Sequence, residues 1–106
     1  MYINMSNLVR KEIFEGASIR VAWGEKMMMS FVDLMPHSIV PLHSHPHEQM
    51  GFVLKGKFEL TIAEECRLLQ EGDAYLIPSG VGHSVKAQVS KSRALEIFSP
   101  PREEYK

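Results

Sequence analysis

The chain has one cysteine, Cys66, in 106 residues, so no intramolecular disulfide can form. A reducing compartment is the natural inference, and the cytoplasm is the expected location. No apolar run approaches the roughly 20 residues that a membrane-spanning helix needs. The opening Met1-Tyr2-Ile3-Asn4-Met5 lacks the charged and apolar regions of a secretory signal, so none is expected. Net charge is also scarce. A formal value of −1 argues against nucleic acid or an acidic membrane held by bulk charge. No segment of helical length carries a 3.6-residue apolar period, and there is no internal repeat or low-complexity stretch.

What remains is a succession of short strand signals. Leu8 to Phe14 is a mixed segment ending near Gly16, and Ile19 to Trp23 alternates before Gly24-Glu25. Lys26 to Met35 is rich in methionine, which reads as core filler rather than a soft-metal site. Its parity puts Met28, Ser30, Val32 and Leu34 on one face and Met27, Met29, Phe31, Asp33 and Met35 on the other. Neither face is purely polar, so cover on both sides is expected. Met50–Leu54 and Phe58–Ala63 flank Lys55-Gly56-Lys57, a hairpin signal. Cys66–Gln70, Ala74–Ile77, His83–Val89 and Arg93–Phe98 complete the series, with Cys66 inert and Trp23 a packing residue. About eight to ten short strands with turns between them predict an all-β sandwich or barrel. The expected organisation is one domain over 1–106, with a core of about 8–99 and a polar tail over 100–106.

The histidines are the chemical feature. Pro41-Leu42-His43-Ser44-His45-Pro46-His47-Glu48-Gln49 is answered by Pro78-Ser79-Gly80-Val81-Gly82-His83. On a strand, His43 and His45 would present both rings on one face. Imidazole suits divalent transition metals, and two rings plus a third from a distant turn can close a facial site with open positions. A structural zinc knuckle would instead want a closed shell rich in thiolates. His47 follows a proline and reads as a surface or supporting residue. Glu48 reads as a residue that orients a histidine.

These residues carry a resemblance to the cupins, small jelly-roll β-barrels with two metal-binding motifs. His43-x-His45, then Gln49, then six residues to Gly56 resembles the first motif. Gly72, five residues, Pro78-x-Gly80, two residues and His83 resembles the second. Gln49 stands where that family has an acidic ligand, and Glu48 would replace it only if the strand slipped by one residue, turning its neighbours to the wrong face. His37 stands where a turn glycine is usual, so a different local turn is expected there. Ala87 stands where the second motif often ends in Asn. The run His-Ser-His-Pro-His-Glu-Gln with the later Phe-Ser-Pro-Pro-Arg-Glu is similar to the pectin-degradation cupins, which open the ring of 4,5-unsaturated uronates. That resemblance implies His43, His45, Gln49 and His83 as ligands of one divalent ion. Manganese, iron, nickel and zinc all accept such a set. It also implies a catalytic neighbourhood of Glu96, Phe98 and Arg102, with Glu96 at a position the family fills with Asp.

The residues support the same chemistry on their own. Three neutral imidazoles and an amide leave the full charge of a divalent ion uncompensated, which favours Lewis acidity and an anionic ligand. The same donor set disfavours a trivalent oxidised state, and so oxygen-activating iron. Glu96 alternates against Leu95 and Ile97; facing inward, it would be desolvated and able to move protons near neutral pH. Phe98 shares its face as an apolar wall, and Arg102 suits a bidentate clamp on a carboxylate. The expected function is metal-dependent ring opening of a small anionic sugar acid. The alternatives are a metal- and anion-binding sensor or storage cupin, and a dioxygenase or isomerase acting on another substrate. Outer apolar positions such as Phe52 and Leu54 lead to an expected homodimer.

Overall fold

A computed structural model describes residues 1–106. Ten strands follow one another: β1 (Lys11–Phe14), β2 (Ala17–Trp23), β3 (Met28–Leu34), β4 (Ile39–His43) and β5 (Glu48–Lys55). They continue as β6 (Lys57–Ile62), β7 (Glu65–Gln70), β8 (Ala74–Ile77), β9 (His83–Ala87) and β10 (Ser92–Ser99). Only two short 3₁₀ turns, Met5–Asn7 and Glu103–Tyr105, interrupt the all-β pattern. No helix is long and apolar enough to cross a membrane.

All pairing is antiparallel. One sheet runs β1-β2-β3-β10-β5-β8 and the other β4-β9-β6-β7. The all-β jelly roll expected from the sequence is the fold that forms. It does not close into a barrel, because no ladder joins the two sheets and each keeps its own edge strands. Apolar side chains from both inner faces fill the space between them, among them Ile19, Met28, Val53, Phe58 and Ile77.

Three expectations are corrected. Gly56 does not close a hairpin: β5 lies in the large sheet and β6 in the small one. Its φ of 75° turns the chain from one sheet to the other, and a Cβ there would lie 2.4 Å from the carbonyl oxygen of Lys91. Strand β3 is covered on its inner face only. Met28, Ser30, Val32 and Leu34 are buried, while Met29, Phe31 and Asp33 are half-buried on the outer face. That outer face is apolar across the sheet. One cross-strand row is Ala22, Met29, Ile97, Met50 and Leu76, and the next contains Phe31, Leu95, Phe52 and Ala74. Above them Asp33 gathers Arg20, Arg93 and Arg10 in a small ion-pair network.

The third correction concerns His37. The turn keeps the left-handed conformation that a glycine would take, with φ of 64° at His37 itself. The turn is pinned by the His37 N–H donating to the Gln88 carbonyl at 3.0 Å. A non-glycine residue pays a steric penalty there, and histidine tolerates it better than branched residues. His37→Gly is therefore expected to leave stability unchanged or raise it by up to about 1 kcal/mol, and His37→Val to lower it by about 1–2 kcal/mol. Urea unfolding of the two variants checks this, and equal effects from both would contradict it.

Candidate metal and proton-transfer site

The register of the strands assembles the site. His43 ends β4 and pairs directly with His83 at the start of β9. His45 lies just past the end of β4 rather than on it, so strand parity does not bring it to its partners. A turn does. Gly80, with φ of 78°, donates its N–H to the His45 carbonyl at 2.9 Å and ties the two histidine segments together. Gln49 opens the inward face of β5 and pairs with Phe98 of β10, while Glu48 points outward and is exposed.

The candidate ligand atoms of His43, His45 and His83 all lie within 4.8 Å of one another. Each ring has its Nδ1 against a backbone carbonyl two residues away. His43 faces the Pro41 carbonyl at 2.8 Å, His45 that of His47 at 3.0 Å and His83 that of Val81 at 2.9 Å. A carbonyl only accepts, so Nδ1 carries the proton and Nε2 keeps its lone pair. The Nε2 of His83 is buried without a protein partner. The Nε2 of His45 faces Oε1 of Gln49 at 3.0 Å. Two lone pairs at that distance repel unless a cation joins them. Burial, followed by the nearby Arg102 charge, holds His45 below its ordinary range, which disfavours a proton in that place. Burial also brings His83 down to about 4. A separation of 3.0 Å is what neighbouring ligands show on one ion with bonds of about 2.1 Å at right angles. The donor set therefore fits a divalent metal.

The amide of Gln49 has a second contact. Its Nε2 donates to Oε2 of Glu96. Glu96 faces inward from β10, in register with Ser30 on one side and Gly51 on the other. It lines a cavity between the sheets together with Gln49, Tyr75 and His83. Burial pushes its carboxyl up to about 7, against the opposing pull of the Tyr75 hydroxyl and the Arg102 charge.

Phe98 is buried, and its ring meets His45 edge-on at 5.7 Å between centroids. The tail folds across this end of the cavity. Arg102 is only 9% exposed, donates to Glu104 and to the Tyr105 hydroxyl, and lies 4.1 Å above the Tyr105 ring. It also stands over the Phe98 ring at 5.2 Å. Lys11 holds the tail down by donating to the Tyr105 carbonyl at 3.0 Å. His47 is half-buried, its ring 5.4 Å from that of His45. Sequence reasoning missed Tyr75, Ser30 and Tyr105. Parity does put Tyr75 on the inner face with Ile77, but a lone tyrosine in an apolar strand reads as packing.

The Cupin domain model matches residues 30–98. The pectin degradation protein KdgF of Dickeya dadantii (strain 3937) is 33% identical over 86 residues, covering 80% of this chain and 78% of that protein. The structure of KdgF from Halomonas sp. has a TM-score of 0.90 at 27% identity, covering 100% of this chain and 97% of that one. An RmlC-like cupin from Shewanella frigidimarina NCIMB 400 has a TM-score of 0.92 at 20% identity, covering 99% and 95%, and shows the shared fold alone.

The raised carboxyl of Glu96 has a consequence for stability. Its ordinary value is 4.5 and its folded value about 7. Below the first, folded and unfolded states both hold the proton. Between the two only the folded state does, so stability falls as pH rises through this window. Glu96→Gln removes that loss. In metal-free protein the stability of the variant relative to the parent should rise from pH 4.5 to 7, by at most about 3 kcal/mol, and be level outside it. Urea unfolding at several pH values measures this. A level difference throughout would mean that Glu96 is in contact with bulk water.

Proposed function

The chain belongs to the cupin family, and from that premise we propose that it is a metal-dependent enzyme that opens the ring of 4,5-unsaturated uronates. The observation that carries this reading is the Gln49 amide, whose oxygen faces the histidine cluster while its nitrogen holds the Glu96 carboxylate. A metal centre and a proton carrier are thereby joined through one side chain. The pectin-degradation name of the Dickeya relative supports a uronate as substrate.

His43, His45, His83 and Gln49 would hold one divalent ion. Such an ion supplies Lewis acidity toward substrate oxygens. Ring opening itself is a proton relocation. The anomeric hydroxyl loses a proton, the bond from C1 to the ring oxygen breaks, and C4 of the released enol gains a proton. The C4–C5 double bond is then gone, and with it the ultraviolet absorbance. Glu96 would carry that proton, a role supported by a proton affinity near neutral pH. Arg102 would hold the substrate carboxylate. It already donates to the carboxylate of Glu104 at 2.7 Å, so its guanidinium is set for such a partner. Phe98 closes the apolar wall behind them.

Incubation with unsaturated galacturonate should show loss of ultraviolet absorbance that stops when the metal is stripped and returns when it is restored. Arg102→Ala removes a clamp present in ground and transition states, so it should mainly raise KM, by roughly ten- to a hundredfold. Glu96→Gln should lower kcat by roughly 10²–10⁴ with KM little changed, and Glu96→Asp should fall between. Metal content must stay equal in all three. Full turnover by Glu96→Gln would remove Glu96 from the chemistry. Metal and uronate binding without turnover would favour a sensor or storage role.

We also propose that the protein is a homodimer joined through the outer face of the large sheet. Two adjacent apolar rows there, with Met50, Phe52 and Leu76 exposed, form a patch that a soluble monomer rarely leaves open. Light scattering at micromolar concentration should give twice the chain mass, and Phe52→Glu should give a folded monomer. A monomeric parent would contradict the pairing.

A further inference from the structure

Gly51 lies inside β5, a place where glycine weakens a strand. Its backbone is not left-handed, so conformational freedom does not explain it. Space does. A Cβ on Gly51 would stand 2.0 Å from Cζ of Tyr75 and 2.3 Å from its hydroxyl oxygen. Gly51 pairs with Glu96 on one side and Tyr75 on the other. Tyr75 and Glu96 are thus two strands apart, roughly 10 Å of sheet. That gap is too wide for two side chains that both rise perpendicular to the sheet. The Tyr75 ring instead lies over the bare Gly51 backbone, which brings its hydroxyl toward Glu96, the residue in register with Gly51 on the other side, near enough for the carboxylate charge to raise the tyrosine's proton affinity. Phe58 from the opposite sheet meets that ring edge-on and holds it down. On the far side of Glu96, Ser30 is wholly buried with its Oγ lacking a partner, so the carboxylate gets no competing anchor there.

We infer that Tyr75 is the positioning residue of the site: it crosses the gap left by Gly51 and fixes the Glu96 carboxylate in the direction from which it reaches the Gln49 amide. Gly51 serves this link and no turn. The inference rests on the reading of Glu96 as proton carrier, and it reaches beyond that reading to how the carboxylate is aimed.

Two measurements test it. In the first, Tyr75→Phe keeps the ring and deletes the hydroxyl, and Gly51→Ala pushes the ring off the strand. Each should lower kcat on unsaturated galacturonate by roughly 10–100-fold, with KM and metal content unchanged, as for a residue that orients another. The double variant should be no worse than Gly51→Ala alone, because both break one link. Additive losses, or full kcat in Tyr75→Phe, would overturn the inference. The second needs neither substrate nor metal. Ultraviolet titration of the tyrosines in metal-free protein, with Tyr75→Phe identifying the signal, should show Tyr75 ionising well above the ordinary range. Glu96→Gln should bring that signal down. A Tyr75 signal indifferent to Glu96→Gln would overturn the link. If the parent protein fails to open the uronate while the titration shows coupling, the substrate reading falls and the Tyr75–Glu96 pair stands.

Discussion

The site depends on three local hydrogen bonds, from Nδ1 of His43, His45 and His83 to the carbonyls of Pro41, His47 and Val81. Each partner lies two residues from its histidine, so the local backbone, rather than a distant residue, sets the tautomer. With Nδ1 protonated, each ring can offer only Nε2, and the β4–β9 register together with the Gly80 turn brings the rings to one point. Burial then keeps His45 and His83 neutral at ordinary pH. A cluster of three imidazoles would otherwise be a poor place for a cation, since a proton on any ring repels the next. Here the backbone and the low dielectric remove the proton as competitor.

Gln49 explains why an amide can serve where a carboxylate is usual. A glutamate at this position would set its carboxylate against that of Glu96, and two carboxylates in contact share a proton. The proton affinity of Glu96 would then belong to the pair. An amide avoids this conflict: its oxygen is available to a cation and its nitrogen donates to Glu96. For a metal bound there the cost would be one unit of negative charge missing from its surroundings, which would increase the demand for an anionic ligand.

Much of this was legible in the sequence, and each failure has its own physical origin. Motif spacing named the histidines that come together, and parity placed Met28, Ser30, Val32 and Leu34 on the inner face of β3. Periodicity reports which face a side chain takes and nothing about which sheet the strand joins, so Gly56 read as a hairpin when it is a corner. Residue type is a poor proxy for φ at His37, which stays left-handed in a turn where its N–H donates to the Gln88 carbonyl. Tyr75 was invisible because its partner is two strands away across a glycine. The link is made by an absent side chain, and pattern reasoning counts only those present. The burial of Arg102 was hidden likewise, since a polar tail gives no sign that it folds back over aromatic rings.

The charges of the cavity argue for what completes it. Arg102 stands near enough for its charge to lower the proton affinity of His45 and His83. The same field opposes a divalent ion at their Nε2 atoms. Glu96 is the one acidic group lining the cavity, and at neutral pH it is only partly ionised. Glu104 answers Arg102 from outside, on a side chain that remains 55% exposed. A metal-loaded site would therefore be electropositive and short of negative charge within the protein. A carboxylate-bearing ligand bound between the ion and Arg102 supplies that charge where water is excluded and the attraction is least screened. On release Glu104, the half-exposed end of the pair, returns to water, and the incoming carboxylate gives the buried guanidinium a new partner. The tail thus holds the guanidinium in place between ligands.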